Sequence, residues 1–344
     1  MKKAVAIFMA VAMTLGMAAC GSKKEETKAP ETSKAAAAAD TEKAEDTSKA
    51  DEGGSDKPVK IGWLQKNQSN AFELVINGGG EAVLEQAKAD GIVEEYYLLD
   101  GQTDPSTQVS QANDLVNLGV DAVIMQPAEL DGSAPVVDIL HEAGIPVVLV
   151  NSLTSNADDC EGISASNDVE AGEILAQFVL DKLGSTGKYA HIQGLIGNTA
   201  AIQRTEGIHN IMDKESGWEM LDEQSAEWQG DKASKFAQDW ISLYGDDLNA
   251  ILCDNDDMAV AARLACIEAG REDIVVIGVD ATEAALAMVA DGELDGTVRQ
   301  DGTTQGAEAV NKAIALAQGK KVERETWIPF TLVTKDNVSE FYKK

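Results

Sequence analysis

Short apolar runs recur along the chain, and most are followed by a longer stretch with apolar positions at helical spacing. Val59–Gln65, residues 96–99, Ala122–Met125 and residues 147–150 are near-continuous in apolar side chains, the pattern of strands buried on both faces. Residues 70–89, 107–118 and 134–143 read as the helices between them. The alternation restarts after Gly162: helix 171–183, strand 189–193, helix 200–214, strand 218–224 and helix 232–243. It continues through a strand at Ala250–Cys253, a helix with Met258, Ala262, Ala265 and Ala269 on one stripe and Gly270 at its end, and a strand over 274–279. Such alternation predicts an α/β fold of parallel βαβ units with right-handed crossovers. Two similar halves predict two doubly wound, Rossmann-like lobes with a cleft between them.

In an open parallel sheet the ligand crevice lies beyond the carboxyl ends of the strands. Asn255 and Asp280 each stand at such an end. Both also have an ordinary structural role available. Asn255 can cap the helix that begins with the acidic pair Asp256-Asp257, and Asp280 can serve a turn.

The segments DNDDMAVAA (254–262) and VIGVDAT (276–282) resemble the sugar-binding branch of the type I periplasmic binding proteins, the ribose, galactose and inositol group. The resemblance covers residues 58–344 and implies two lobes that are discontinuous in sequence. An N-terminal lobe would comprise 58–164 plus 301–327 and a C-terminal lobe 165–300 plus 328–344, joined by a three-strand hinge. Periodicity alone suggests two consecutive domains.

A sugar presents hydroxyls at its edge and C–H patches on its faces, so its site needs short polar groups around a rim and aromatic rings above and below. By resemblance, Asn70 binds a hydroxyl and Phe72, two residues on, covers one face; Glu73 stands where relatives often carry a second aromatic. Asn151, with Ser152 beside it, ends the 147–150 strand. The stretch 197–207, GNTAAIQRTEG, matches a helix entry in which Arg204 forks onto two hydroxyls or a ring oxygen, with Asn198 as an extra contact. Trp228 would cover the opposite face, and Gln300, in TVRQD, would supply an amide at the hinge. Asn255 and Asp280 complete the set. Asp280 and Arg204 cancel in charge, so the expected ligand is a neutral monosaccharide or cyclitol, with no cofactor and no metal. No calcium-loop pattern D-x-[DN]-x-[DN]-G occurs.

The beginning of the chain adds location. Met1-Lys2-Lys3 and a short apolar run to Ala19 read as an export signal over residues 1–19. Leu15-Gly16-Met17-Ala18-Ala19-Cys20 resembles a lipoprotein processing site, which implies a lipid on Cys20. Residues 20–57 are then the lipidated Cys and a tether of Lys, Glu, Ala, Thr, Ser, Asp and Gly that cannot build a core. The expected place is the outer face of the cytoplasmic membrane, at a Gram-positive cell surface.

The formal net charge of −31 argues against nucleic acid, whose recognition needs a basic surface. Cys160, Cys253 and Cys266 are odd in number and lack a CxxC, so they are expected as free core thiols. His141, His191 and His209 lack metal-ligand spacing. These features, with the resemblance, imply the substrate-binding lipoprotein of an ABC importer, acting as a monomer that hands its ligand to a permease. The alternative within the same architecture is a sensing subunit that presents its closed form to a membrane receptor or histidine kinase. A glycosidase would require two carboxylates facing one bond; Asp280 is placed firmly and Glu73 only as a speculative second, so no enzyme is expected. Replacing Cys20 by Ser is expected to release the exported chain from the membrane into the medium or periplasm, scored by fractionation; unchanged membrane retention would remove the lipid anchor from this account.

Overall fold

All four side chains of the strand β3 (Ala122–Met125) are buried, and they enter two different cores. Ala122 and Ile124 pack with Ile61 and Trp63, whereas Val123 and Met125 pack with Leu64 and Leu149. The period of two sends alternate residues to opposite faces, so a strand apolar throughout needs a helical layer on each side. The computed structural model describes residue 55 and residues 57–343. The expected leader, Cys20 and almost all of the expected tether lie outside the described residues.

With β3, the strands β1 (Val59–Gln65), β2 (Val93–Asp100), β4 (Val147–Asn151), β5 (Gly162–Ala165) and β11 (Glu325–Trp327) form a six-stranded parallel sheet in the order β11-β5-β4-β3-β1-β2. Helices α1 (Ala71–Ala89) and α9 (Gly302–Ala317) cover one face, and α2 (Pro105–Leu118) and α3 (Ala134–Glu142) cover the other. The second sheet is built likewise from β6 (Gly187–Gln193), β7 (Trp218–Ser225), β8 (Ala250–Cys253), β9 (Val275–Asp280), β10 (Gly296–Arg299) and β12 (Thr331–Val333). Its order is β12-β10-β9-β8-β6-β7, with β12 antiparallel to β10 and the other pairs parallel. Helices α4 (Asp168–Leu183) and α5 (Thr199–Met212) flank one face; α6 (Gly230–Tyr244), α7 (Asp256–Glu268) and α8 (Glu283–Asp291) flank the other.

The chain leaves the first sheet after β5, returns through α9 to β11 after β10, and leaves again to reach β12. In each sheet the strand order reverses once: β1 lies between β2 and β3, and β6 between β7 and β8. Loops part to opposite sides at such a point and leave a crevice beyond the strand ends. Cys160, Cys253 and Cys266 are free and buried, and burial pushes the Cys160 thiol up to about 12, out of reach of the reactive thiolate form.

Two helix pairs are drawn together by glycine. A Cβ on Gly306 of α9 would overlap the Ile76 carbonyl oxygen of α1, and one on Gly172 or Gly207 would overlap the Arg204 or Val169 carbonyl across the α4–α5 contact. The backbones therefore touch where any side chain would hold them apart. Gly78, on the outer side of α1, meets nothing within 4 Å. Gly306→Ala is expected to destabilise the protein by about 1–3 kcal/mol. Gly78→Ala is expected to stabilise it by roughly 0.5–1 kcal/mol, since the same added methyl there only improves helix propensity. Urea unfolding of the two variants reads both signs.

Candidate functional site

The carboxyl ends of both sheets converge on a cavity of about 390 Å³, measured as atom-free space including its opening. Asn70, Phe72, Asn151, Arg204, Trp228, Asn255, Asp280 and Gln300 all line it, so the structure brings together every site residue named from the sequence. Lys66, Glu73, Asn198, Ala200 and Asp257 complete the wall.

From the first sheet, β1 delivers Lys66 and the loop to α1. Asn67 Oδ1 accepts from the backbone N–H of Ser69 and Asn70 at 3.0 and 2.9 Å, and this turn sets the entry to the helix. Asn70 occupies the N-cap position of α1, but its side chain makes no capping bond. Phe72 is half-buried, with its ring against the N-terminus of α9 at Gly302. At Glu73 the wall is a buried ion pair: Lys66 Nζ lies 3.2 Å from Glu73 Oε1, and Gln126 Nε2 donates to Glu73 Oε2. The same Gln126 amide donates to Asn151 Oδ1 at 3.2 Å, and Asn151 Nδ2 donates to Gln305 Oε1 at 3.2 Å. Asn151 is thus held on both sides, in a left-handed backbone with φ of 66°.

The second sheet supplies the charged floor. Arg204, expected to fork onto the ligand, lines the cavity, and most of its donors go to protein groups. Its Nε donates to Asp168 Oδ1 at 2.9 Å, Nη2 lies 2.8 Å from the same oxygen, and Nη1 donates to the Asp254 carbonyl. A buried guanidinium must satisfy its donors, and protein groups occupy most of them. Its Nη2 also donates to Gln300 Oε1 at 3.2 Å, which orients that amide and leaves Gln300 Nε2 buried without a partner. Asn255 does act as a cap, its Oδ1 accepting from Met258 N at 3.0 Å, and it lines the cavity as well. Asn198 likewise caps α5 while its Nδ2 donates to the Ala128 carbonyl at 2.9 Å.

Trp228 is 7% exposed, packs on Gly194 and belongs to a core cluster, so it is both core and wall. Lys66 Nζ and Arg204 Cζ lie 5.1 and 5.9 Å from its ring centroid. Asp280 is 7% exposed, not solvent-facing, and its carboxylate accepts no hydrogen bond from the described residues. Burial pushes this carboxyl well above the usual range; Arg204 opposes the rise, and the charges of Asp256, Asp257 and Glu73 add to it. Asp256 lies behind the wall and receives Thr297 Oγ1 and Thr282 N at 2.7 and 2.8 Å; burial still raises it to about 7. The backbone at Trp228 and Asp280 has φ of 65° and 126°, so three wall residues, with Asn151, hold conformations disfavoured for side-chain-bearing residues.

The missed wall residues had modest signals. Lys66 directly follows β1, and Asp257 sits in the first turn of α7, both at the sheet edge that carries the crevice. Among the described residues no group of three or more His, Cys, Asp or Glu gathers where it could hold a metal ion.

Two largely parallel sheets, flanked by helices, whose strand ends share one amide- and carboxylate-lined cavity define a two-lobed solute-binding protein. The chain belongs to the type I periplasmic sugar-binding protein family: residues 61–321 match the model of the periplasmic binding protein domain. It is similar to a putative rhizopine-binding protein of Rhizobium meliloti, 37% identical over 262 residues, 74% of this chain and 84% of that one. The ribose import binding protein of Bacillus subtilis is 30% identical over 334 residues, 97% of this chain and 99% of that one. Among solved structures, an ABC transporter solute-binding protein from Bacillus halodurans with bound myo-inositol superposes with a TM-score of 0.76 at 29% identity, covering 84% of this chain and 98% of that one.

Behind the floor, His191 is fully buried, with Nε2 2.8 Å from Asp254 Oδ1 and Nδ1 3.0 Å from Glu223 Oε2. Burial alone disfavours the imidazolium, but the Asp254 and Glu223 carboxylates outweigh it and raise His191 to about 9. The folded-state value exceeds the unfolded one of about 6.5. Its contribution is therefore complete below pH 6.5 and lost as pH rises through about 9. Urea-unfolding stability is expected to fall across that window by about 3 kcal/mol, and by much less in His191→Asn.

Proposed function

We propose that this protein captures a monosaccharide or cyclitol without anionic groups, by closure of two lobes, and delivers it to the permease of an ABC importer from a lipid anchor at Cys20. The observation that carries this reading is a cavity walled from both sheets whose lining includes the buried, unpartnered Gln300 Nε2. The lobes are taken as 58–164 plus 301–327 and 165–300 plus 328–344, with the three passages of the chain between the sheets as the hinge. Direct bonds link the two sides above the cavity: Leu130 N to Gly197 O at 2.8 Å, and Thr199 Oγ1 to Leu153 O at 2.6 Å. They support a closed, ligand-retaining form.

No catalytic step is assigned. Asp257 and Asp280 rise from adjacent strand ends of one sheet, and Glu73, across the cavity, is engaged by Lys66 and Gln126. None of these pairs presents a free acid and a free base on the two sides of a glycosidic bond. The Asp280–Arg204 cancellation that implied a neutral ligand changes in detail, because Asp168 neutralises Arg204. Neutral polyols remain suited to the wall, and anions are disfavoured by Asp257 and Asp280.

A thermal-shift screen is expected to find neutral sugars or cyclitols that raise the melting temperature, unaffected by chelator, while sugar phosphates and sugar acids do not. Asp280→Ala is expected to weaken the best of them by about 2–5 kcal/mol, roughly 30-fold to a few thousand-fold by calorimetry, with its circular dichroism intact. Parent-like affinity in that variant would move the site elsewhere.

A further inference from the structure

The charges on the cavity wall do not cancel. Five ionisable side chains line it: Lys66, Glu73, Arg204, Asp257 and Asp280. Both cations already have buried partners, Lys66 in Glu73 at 3.2 Å and Arg204 in Asp168 at 2.8 Å. Asp257 and Asp280 have none: neither carboxylate makes a hydrogen bond or ion pair with the described residues. The two stand at adjacent strand ends, Asp280 closing β9 and Asp257 opening α7 after β8. Asp280 is nine-tenths buried, so water cannot offset its charge, and Asp256 adds a third carboxylate behind them. The wall is therefore polarised. Its cations gather about the Trp228 ring, and its two unpaired carboxyls stand at the neighbouring ends of β8 and β9.

Burial raises both carboxyls, so an uncompensated charge here is costly; a ligand that brings positive charge favours the ionised pair, whose oxygens only accept. A ligand hydroxyl brings one proton and can satisfy one of them; its lone pairs then face the other. An ammonium group brings three protons, no lone pair and a compensating charge. A bound metal ion would also compensate, but hard cations take six or more oxygen ligands, and no such cluster exists among the described residues. We propose that the preferred ligand is a monosaccharide- or cyclitol-sized polyol in which one hydroxyl is replaced by an ammonium group, seated between Asp257 and Asp280. This rests on the polyol reading above and names the substrate class within it. Gln300 Nε2, buried without a partner, and the amides of Asn70 and Asn255 are left for the remaining hydroxyls. The ring lies over Trp228, as a neutral polyol would.

The test is calorimetry on the purified protein at pH 7 with matched pairs. Each pair is a neutral sugar or cyclitol and its counterparts carrying a single amine in place of one hydroxyl, one for each ring position. At least one amino counterpart is expected to bind about tenfold or more tightly than its neutral parent. In Asp257→Asn that ratio is expected to fall towards one, because the variant removes a charge the neutral parent does not need. If neutral parents bind and no amino counterpart exceeds its parent, this inference fails and the polyol reading stands. An amine preference that survives in Asp257→Asn equally overturns the placement. If no member of any pair binds, the polyol reading itself fails and this inference with it.

Discussion

A guanidinium cannot be buried unless its donors are met, and much of the site follows from how Arg204 meets that requirement. Arg204 joins four elements. It lies on α5, holds Asp168 at the start of α4, takes the carbonyl of Asp254 where β8 ends, and fixes the Gln300 amide just past β10. Asp168 would otherwise be a costly buried carboxylate, and burial still raises its carboxyl despite Arg204. Asp254 in turn carries His191 and the Gly194 N–H, so the loop against which Trp228 rests is tied to the same node. The node depends on close helix contact. Gly172 lets α4 approach the carbonyl of Arg204 itself, which sets the distance between guanidinium and carboxylate. Packing and site chemistry are one constraint here.

The first sheet meets the same need with amides. Gln126 bridges Glu73 and Asn151, and Gln305 on α9 reaches Asn151 at the end of β4 and Ser166 just past β5. Beside the second sheet, two amides serve two ends at once. Asn198 and Asn255 cap helices with one amide atom and present the other to the cavity or to the facing loop. The disfavoured backbone at Asn151, Trp228 and Asp280 is held by these surroundings, which is how strain persists at a binding surface.

Much of this was legible in the sequence because burial on both faces leaves a plain record. The runs at β1, β3 and β8 are bounded by polar residues and coincide with the strands. β5 escaped because Gly162, Ser164 and Ala165 leave Ile163 as its one large apolar side chain. β11 and β12 are three-residue edge strands, partly exposed, whose pairing is decided by distant partners. At the site, strand-end positions were readable because a sheet's polarity fixes where its loops go. Pairing was not: nothing in the spacing of Asp168 and Arg204, or of Lys66, Glu73 and Gln126, shows which groups neutralise one another. The partners of Arg204 escaped for that reason, since a partner supplied by another helix is invisible to local pattern.

The course of the chain has a consequence for the order in which the protein can be assembled. The core beneath β1 and β3 is closed by Ala309, Val310 and Ala313 of α9, and the edge beyond β5 is covered by β11. Both are made after the second sheet's parallel strands are complete. As the polypeptide emerges from its N-terminus, the first sheet can collapse on α2 and α3 while Ile61 and Trp63 have only α1 over them on the other side. The half that begins first finishes last, and it waits half-roofed and adhesive while the second sheet, whose parallel strands and helices are contiguous in the chain, forms beside it.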